Sequence, residues 1–176
     1  SSKGIQTGDE REAIEKAGGR LFLSSAPFPL ADGLATTGQI PRVTGYEGPG
    51  KAFLTLEDGR VTPDSLPDDM GITALVKGKG VVVVAGCSHS GIVNILKRVR
   101  ELYPNEPVEG VIGGLHLVNG SEEKMEKTLE GIRDIGPKWI AAGHCTGFPM
   151  QVKLFQAFGT AFSPLCVGKK FVVEGV

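Results

Sequence analysis

The rhythm of apolar positions along the chain changes near residue 71. Before it, they come in short bursts broken by Pro and Gly. After it, they form longer runs, each followed by a helical stripe. The strongest run is Val81–Ala85, a continuous β-branched segment that predicts a strand buried on both faces of a covered sheet. Gly86 ends it, and the polar turn Cys87-Ser88-His89-Ser90-Gly91 follows. Ile92, Ile95, Leu96 and Val99 then recur at helical spacing, so the turn opens into an amphipathic helix that Pro104 stops. Ile72–Val76 precedes this strand across Lys77-Gly78-Lys79-Gly80, which predicts a hairpin.

Two more units of the same kind follow. Val108–Ile112 is a strand, Gly113-Gly114-Leu115-His116-Leu117 a turn, and Ser121 caps a helix with Met125, Leu129 and Ile132 inward. Gly136-Pro137 ends that helix. Trp139–Ala142 is the third strand, Gly143-His144-Cys145-Thr146-Gly147 its turn, and the next helix turns Leu154, Phe155 and Phe158 inward. Phe162–Val167 and Lys170–Val173 read as closing strands. In the first part, Asp9–Ala17 is a helix stopped by Gly18-Gly19. Arg20–Ser24 and Leu34–Thr37 are short strands, and residues 26–34 a loop or sheet edge. Phe53–Leu56 and Arg60–Thr62 flank Asp58-Gly59 as a hairpin, and Pro63–Met70 is an exposed loop. The pattern predicts one α/β domain over residues 1–176.

Each of the three strand–turn–helix units carries one of the three histidines, His89, His116 and His144. Parallel neighbouring strands would bring all three imidazoles to one rim of a sheet, where α/β proteins place their ligands. Imidazoles gathered there suit a transition metal. Cys87 and Cys145 each adjoin a histidine. Thiolates bind zinc well, although a buried cysteine is more often a small hydrophobe. Cys166, in a closing strand, is expected in the core. Asp68 and Asp69 read most simply as a solvated loop, with contact to a site as the alternative, and Thr37 and Gly38 as turn residues. Arg42 is a candidate for an anionic substrate group.

Two readings compete with a metal site. Gly86-Cys87-Ser88-His89-Ser90 departs from the G-x-S-x-G nucleophile elbow at Ser90, whose side chain crowds the turn. A Ser88 nucleophile would use His144 as base but lacks an acid at a strand end, since Asp134 lies on a helix. The turns could also act as metal-free anion cradles at helix N-termini, or the thiols as a redox or binding module.

The net charge of −1 with 22% charged residues gives no field that would draw nucleic acid or an anionic membrane. No apolar run reaches the roughly 18 residues of a membrane span, and no secretory segment is visible. Three cysteines predict a reducing, cytoplasmic setting rather than a disulfide framework. The first residue is Ser, as expected of a fragment or a processed chain.

The motifs G-C-S-H-S-G-I-V-N, G-G-L-H-L and G-H-C-T-G-F, with T-T-G-Q-I-P-R at 36–42 and P-D-D at 67–69, resemble the metallo-β-lactamase superfamily. The resemblance is strongest to metal-dependent hydrolases related to the dihydropterin ribofuranosyl-aminobenzene phosphate synthase of methanopterin biosynthesis. It implies an αββα sandwich with metal between two sheets at one edge. It also implies His144 as a metal ligand and a second ligand from the turn holding Cys87 and His89, with the choice between those two open. The superfamily signature H-x-H-x-D-H is absent, so the resemblance implies the C-terminal part of such a domain.

The expected function is therefore a metal-dependent hydrolase acting on a small, phosphate-bearing or pterin-related molecule. Its divalent metal would be zinc by default, with iron or manganese also compatible, held by His89, His144 and Cys87. His116, Ser88, Ser90 and the Gly113-Gly114 turn would orient substrate or bind its oxyanion. The expected partners are the substrate and the N-terminal part of the same protein. An isolated half would also expose an apolar sheet face that favours self-association.

Overall fold

A computed structural model describes residues 10–50 and 53–176. Asp9, where the sequence pattern starts the first helix, lies outside the described residues. The elements in order are α1 (Glu10–Lys16), β1 (Pro29–Ala31), β2 (Leu34–Thr36), β3 (Leu54–Glu57), β4 (Arg60–Pro63), β5 (Gly71–Val76) and β6 (Gly80–Ala85). They continue with α2 (Ile92–Leu102), β7 (Val108–Gly114), α3 (Glu122–Ile135), β8 (Trp139–Gly143), α4 (Phe148–Phe158) and β9 (Phe162–Pro164). One seven-stranded sheet runs β1-β2-β5-β6-β7-β8-β9, and β3-β4 form a separate hairpin. The strands β6, β7, β8 and β9 are mutually parallel, while β1, β2 and β5 pair antiparallel. The turns after β6, β7 and β8 therefore leave the same edge of the sheet.

The helices α2, α3 and α4 share one face. Val81, Val83, Val111 and Ile140 meet Ile95, Leu96, Ile132, Met150 and Leu154 there in a single buried cluster. Each such side chain contributes roughly 1.5–3 kcal/mol on burial. Two helix ends follow local chemistry. Ser121 Oγ accepts from Lys124 N at 3.2 Å, and Gly136 closes α3 in the left-handed region at φ 70°.

The opposite face is covered differently from expectation. Ile72, Val84 and Ile112 lie in register across it, and Ile72 and Val84 are 38% and 39% exposed. That face of β6 is buried at Val82 and opens at Val84, so the expected burial on both faces holds for most of the strand and fails at its end. Near the start of the strands, Trp139 lies over Gly110, where a Cβ would come within 2.1 Å of the indole. Phe171 stacks on Trp139 with ring centroids 5.4 Å apart, and Val176 N donates to Lys77 O. The segment 170–173 is therefore an extended strap anchored by stacking, not a strand.

Three further expectations change. Arg20–Ser24 pairs with no strand, and Phe22 and Leu23 face outward. Cys166 is exposed, since β9 ends at Pro164. Phe155 is exposed, and α4 buries Met150 and Leu154 instead.

The N-terminus of α2 is capped from afar. Glu47 Oε1 accepts from Val93 N at 3.0 Å, and its Oε2 accepts from Asn94 N and Thr44 Oγ1 at 2.9 Å each. Asn94 Oδ1 in turn accepts from Val43 N and Thr44 N, so residues 43–47 are laced to the helix. Gly91, at φ 95°, makes this approach possible, because a Cβ there would lie 2.3 Å from Glu47 Cδ. Burial pushes the Glu47 carboxyl up, against the pull of these donors and of Lys124.

Neighbouring Tyr46 has its phenol pushed up to about 12, first by burial and then by Glu47, Asp134 and Glu130. The unfolded chain therefore ionises first as pH rises. Stability tied to Tyr46 is complete below about pH 10 and lost as pH rises toward 12. Denaturant melts across pH 9–12 should show this loss in the natural protein and a smaller slope in Tyr46→Phe.

Candidate metal centre at the strand ends

The three histidine turns adopt backbone conformations that side chains rarely take. Ser88, His116 and His144 all have positive φ, at 58°, 48° and 53°. Such strain persists only where the surroundings hold it, and it concentrates at functional sites. Here the turns hold one another. Ser88 Oγ donates to Gly114 O at 2.6 Å, and Leu115 N donates to Thr146 Oγ1 at 3.1 Å. Leu117 N and Val118 N both donate to Cys145 O.

The geometry sorts the candidate residues into two adjacent groups. Cys87, His144 and Cys145 place one sulfur or ring-nitrogen atom each within 4.8 Å of one another. Cys145 Sγ accepts from His116 N at 3.3 Å and donates to Cys87 O at 3.4 Å. It sits over Gly114, where a Cβ would come within 2.6 Å of the sulfur. Burial raises the Cys145 thiol pKa, opposed by the His116 amide. In the second group, the His89 and His116 rings meet edge to face at 4.5 Å, and Phe53 packs against them at 5.2 and 5.9 Å. Burial, then His89 and Lys124, lower the His116 pKa against the Pro49 carbonyl and Asp69. Its Nδ1 is buried without a hydrogen-bond partner among the described residues.

Of the residues singled out from sequence, Cys87 and His144 come together. His89 stands with His116, and Cys145 completes the donor trio. Cys145 had a sequence signal, its place beside His144. The left-handed conformation of His144 lets both side chains of a G-H-C turn serve one point. Asp69 had none. Its Oδ2 accepts from Ser90 N at 2.8 Å and from the Ser90 hydroxyl, so it braces the His89 turn rather than standing in solvent. Ser88 and Ser90 are both buried, with their hydroxyls turned into the framework. That arrangement braces the turns and presents no nucleophile. The α2 amides expected of an anion cradle are likewise taken, by Glu47.

A metal fits the trio chemically. Two thiols and an imidazole are zinc-type donors, and their ligand atoms lie within 4.8 Å of one another, near enough to share one ion. The Nδ1 of His116, without a partner among the described residues, is a further donor atom in the neighbouring imidazole group.

No protein-family model matches the chain. The 7,8-dihydropterin-6-methyl-4-(β-D-ribofuranosyl)-aminobenzene-5′-phosphate synthase of Methanocaldococcus jannaschii is 37% identical over 162 residues, spanning 90% of this chain and 55% of that protein. The crystal structure of a metal-dependent hydrolase of the β-lactamase superfamily superposes with a TM-score of 0.77 at 25% identity, over 89% of this chain and 59% of the other. The chain is related to the metallo-β-lactamase superfamily. An uncharacterised protein of M. jannaschii is 33% identical over 136 residues, 77% of this chain and 49% of its own length. The chain thus spans about half the length of the curated relatives it matches. Its mixed α/β architecture, with a large sheet under helices, is that of the superfamily. No helix among the described residues is long and apolar enough to cross a membrane.

Proposed function

We propose that this chain forms the C-terminal part of a metal-dependent enzyme whose divalent cation, zinc by default, sits at the strand-end rim. The reading rests on one observation, the convergence of Cys87, His144 and Cys145 from two different turns. Cys87 and His144 are the first candidates for ligands, Cys145 joins them, and His89, also expected as a ligand, stands with His116 in the neighbouring group. A bound zinc would lower the pKa of a water toward neutrality and polarise the bond attacked. Around it, His116 would orient a substrate atom through its unpartnered nitrogen. The Gly113-Gly114 turn would let the substrate approach the backbone closely. A small phosphate-bearing or pterin-related molecule suits the relationship, with hydrolysis as the reaction. A reducing, cytoplasmic compartment would keep Cys87 and Cys145 as thiols. The N-terminal part of the same protein would cover the Ile72–Val84–Ile112 face and supply further ligands.

The test is elemental analysis of the intact purified protein and its Cys87→Ser and Cys145→Ser variants. Stoichiometric zinc in the natural protein and its depletion in the variants are expected. Metal retained at full occupancy in both variants would remove this trio from the site. Activity that survives chelation yet is lost in Ser88→Ala would favour a serine hydrolase instead.

A further inference from the structure

The T-G-Q-I-P-R segment, Thr37–Arg42, belongs to neither group of the strand-end centre. It leaves β2 and is pinned at its start, with Thr37 N donating to Gly71 O and Gly71 N donating to Thr37 Oγ1. Gly38 has φ 64°, and a Cβ there would lie 2.6 Å from Ser25 O. Only glycine lets this loop lie flush on residues 25–27, where Gln39 N donates to Ser25 O at 2.9 Å. The result is an open surface cavity of about 370 Å³ whose polar lining is the exposed Ser25, Gln39, Arg42 and Ser65 with the half-buried Arg98. Its apolar walls are Ile40, Pro41 and Pro67, and no residue of the histidine turns lines it.

The two guanidinium groups are held but not used up. Arg42 Nη2 donates to Ser65 O and Leu66 O, at 2.8 Å each. Arg98 Nε donates to Thr37 O at 3.4 Å, and its Nη1 donates to Glu101 Oε2 at 3.1 Å. A guanidinium carries five N–H donors, so each retains about three. The hydroxyls of Ser25 and Ser65 and the amide of Gln39 have no partner among the described residues. Asp68, Asp69 and Glu47 are the anionic neighbours of Arg42. Asp69 is committed to Ser90 and Glu47 to α2, and Asp68 neither bonds Arg42 among the described residues nor lines the cavity. Two cationic forks, two hydroxyls and an amide around one space match a tetrahedral oxyanion. The volume falls at the small end of ligand pockets and exceeds what a bare phosphate fills.

We propose that the cavity between Arg42 and Arg98 binds a phosphate group, free or as a small monoester, at a site separate from the strand-end metal centre. The apolar walls would then carry whatever the phosphate is attached to. This site stands without the metal reading, because none of its donors belongs to the trio.

The experiment is calorimetric titration of the intact, chelator-treated protein with inorganic phosphate and with ribose 5-phosphate. Saturable binding that weakens with added salt is expected. Arg98→Gln should weaken it roughly tenfold or more, since a charge-assisted donor is lost. Arg98→Lys should fall between, keeping the charge without the fork. His144→Ala should leave it unchanged. Tighter binding of the sugar phosphate would identify a monoester as the ligand, and equal affinities the free ion. Binding that is absent up to about 10 mM phosphate, roughly −2.7 kcal/mol, would overturn the proposal. So would binding indifferent to both Arg98 variants at unchanged melting temperature, or binding abolished by His144→Ala.

Discussion

A Gly113→Ala variant is expected to lose roughly 2–5 kcal/mol of stability, the sum of overpacking and backbone strain. Gly113 sits at φ 151°, and a Cβ there would lie 2.4 Å from Ala85 O and 3.0 Å from Ala85 C. Those atoms belong to the backbone of β6, the central strand, so no side chain can swing aside. For a chain of this length the melting temperature should fall by about 5–15 °C. Gly86→Ala is the control, because a Cβ there meets nothing within 4 Å and its φ is not positive. Thermal melts of the two variants should separate clearly. Equal small losses would mean that β6 and β7 can part at no cost, contrary to the packing. Any surviving Gly113→Ala protein should also hold metal poorly, since the parting of β6 and β7 moves Cys87 away from Cys145.

The second large effect is expected at His144. His144→Ala should weaken metal binding by more than the roughly 10–100-fold that loss of an outer-shell partner costs. Activity, where an assay exists, should fall with it. His144 is exposed and its ring makes no side-chain hydrogen bond among the described residues, so fold stability should scarcely change. Competition with a chromogenic chelator reads the affinity directly. His89→Ala and His116→Ala complete the comparison. A larger loss from these two than from His144→Ala would move the metal from the thiol trio to the imidazole pair.

The parts of the fold that were legible from sequence are those in which local pattern and tertiary environment agree. Val81–Ala85 and Ile92–Val99 announce a strand and a helix because their apolar spacing matches the face that the core takes up. Ser121 and Gly136 announce helix ends through their own conformational preferences. Illegibility begins where a segment is held by something distant. Phe171 looks like part of a strand, yet what fixes it is the indole of Trp139. Phe22 and Leu23 look like a strand but find no neighbour. At the site, the three histidine turns were visible because each repeats strand, glycine and imidazole. Their division into a thiol–imidazole trio and an imidazole pair was not, because it depends on left-handed residues at 88, 116 and 144. Nothing near Glu47 or Asp69 in the sequence indicates that each braces the β6–α2 connection from 46 and 21 residues away.

The carboxylate lodged at the head of α2 has a bearing on ligands. A helix start that could greet a negatively charged guest is already satisfied from within, by the chain's own acid. At the proposed metal site, the turns after β7 and β8 would then be left to receive an anionic guest. Exchange of that acid for a neutral side chain would open a docking point for anions that the native molecule keeps shut.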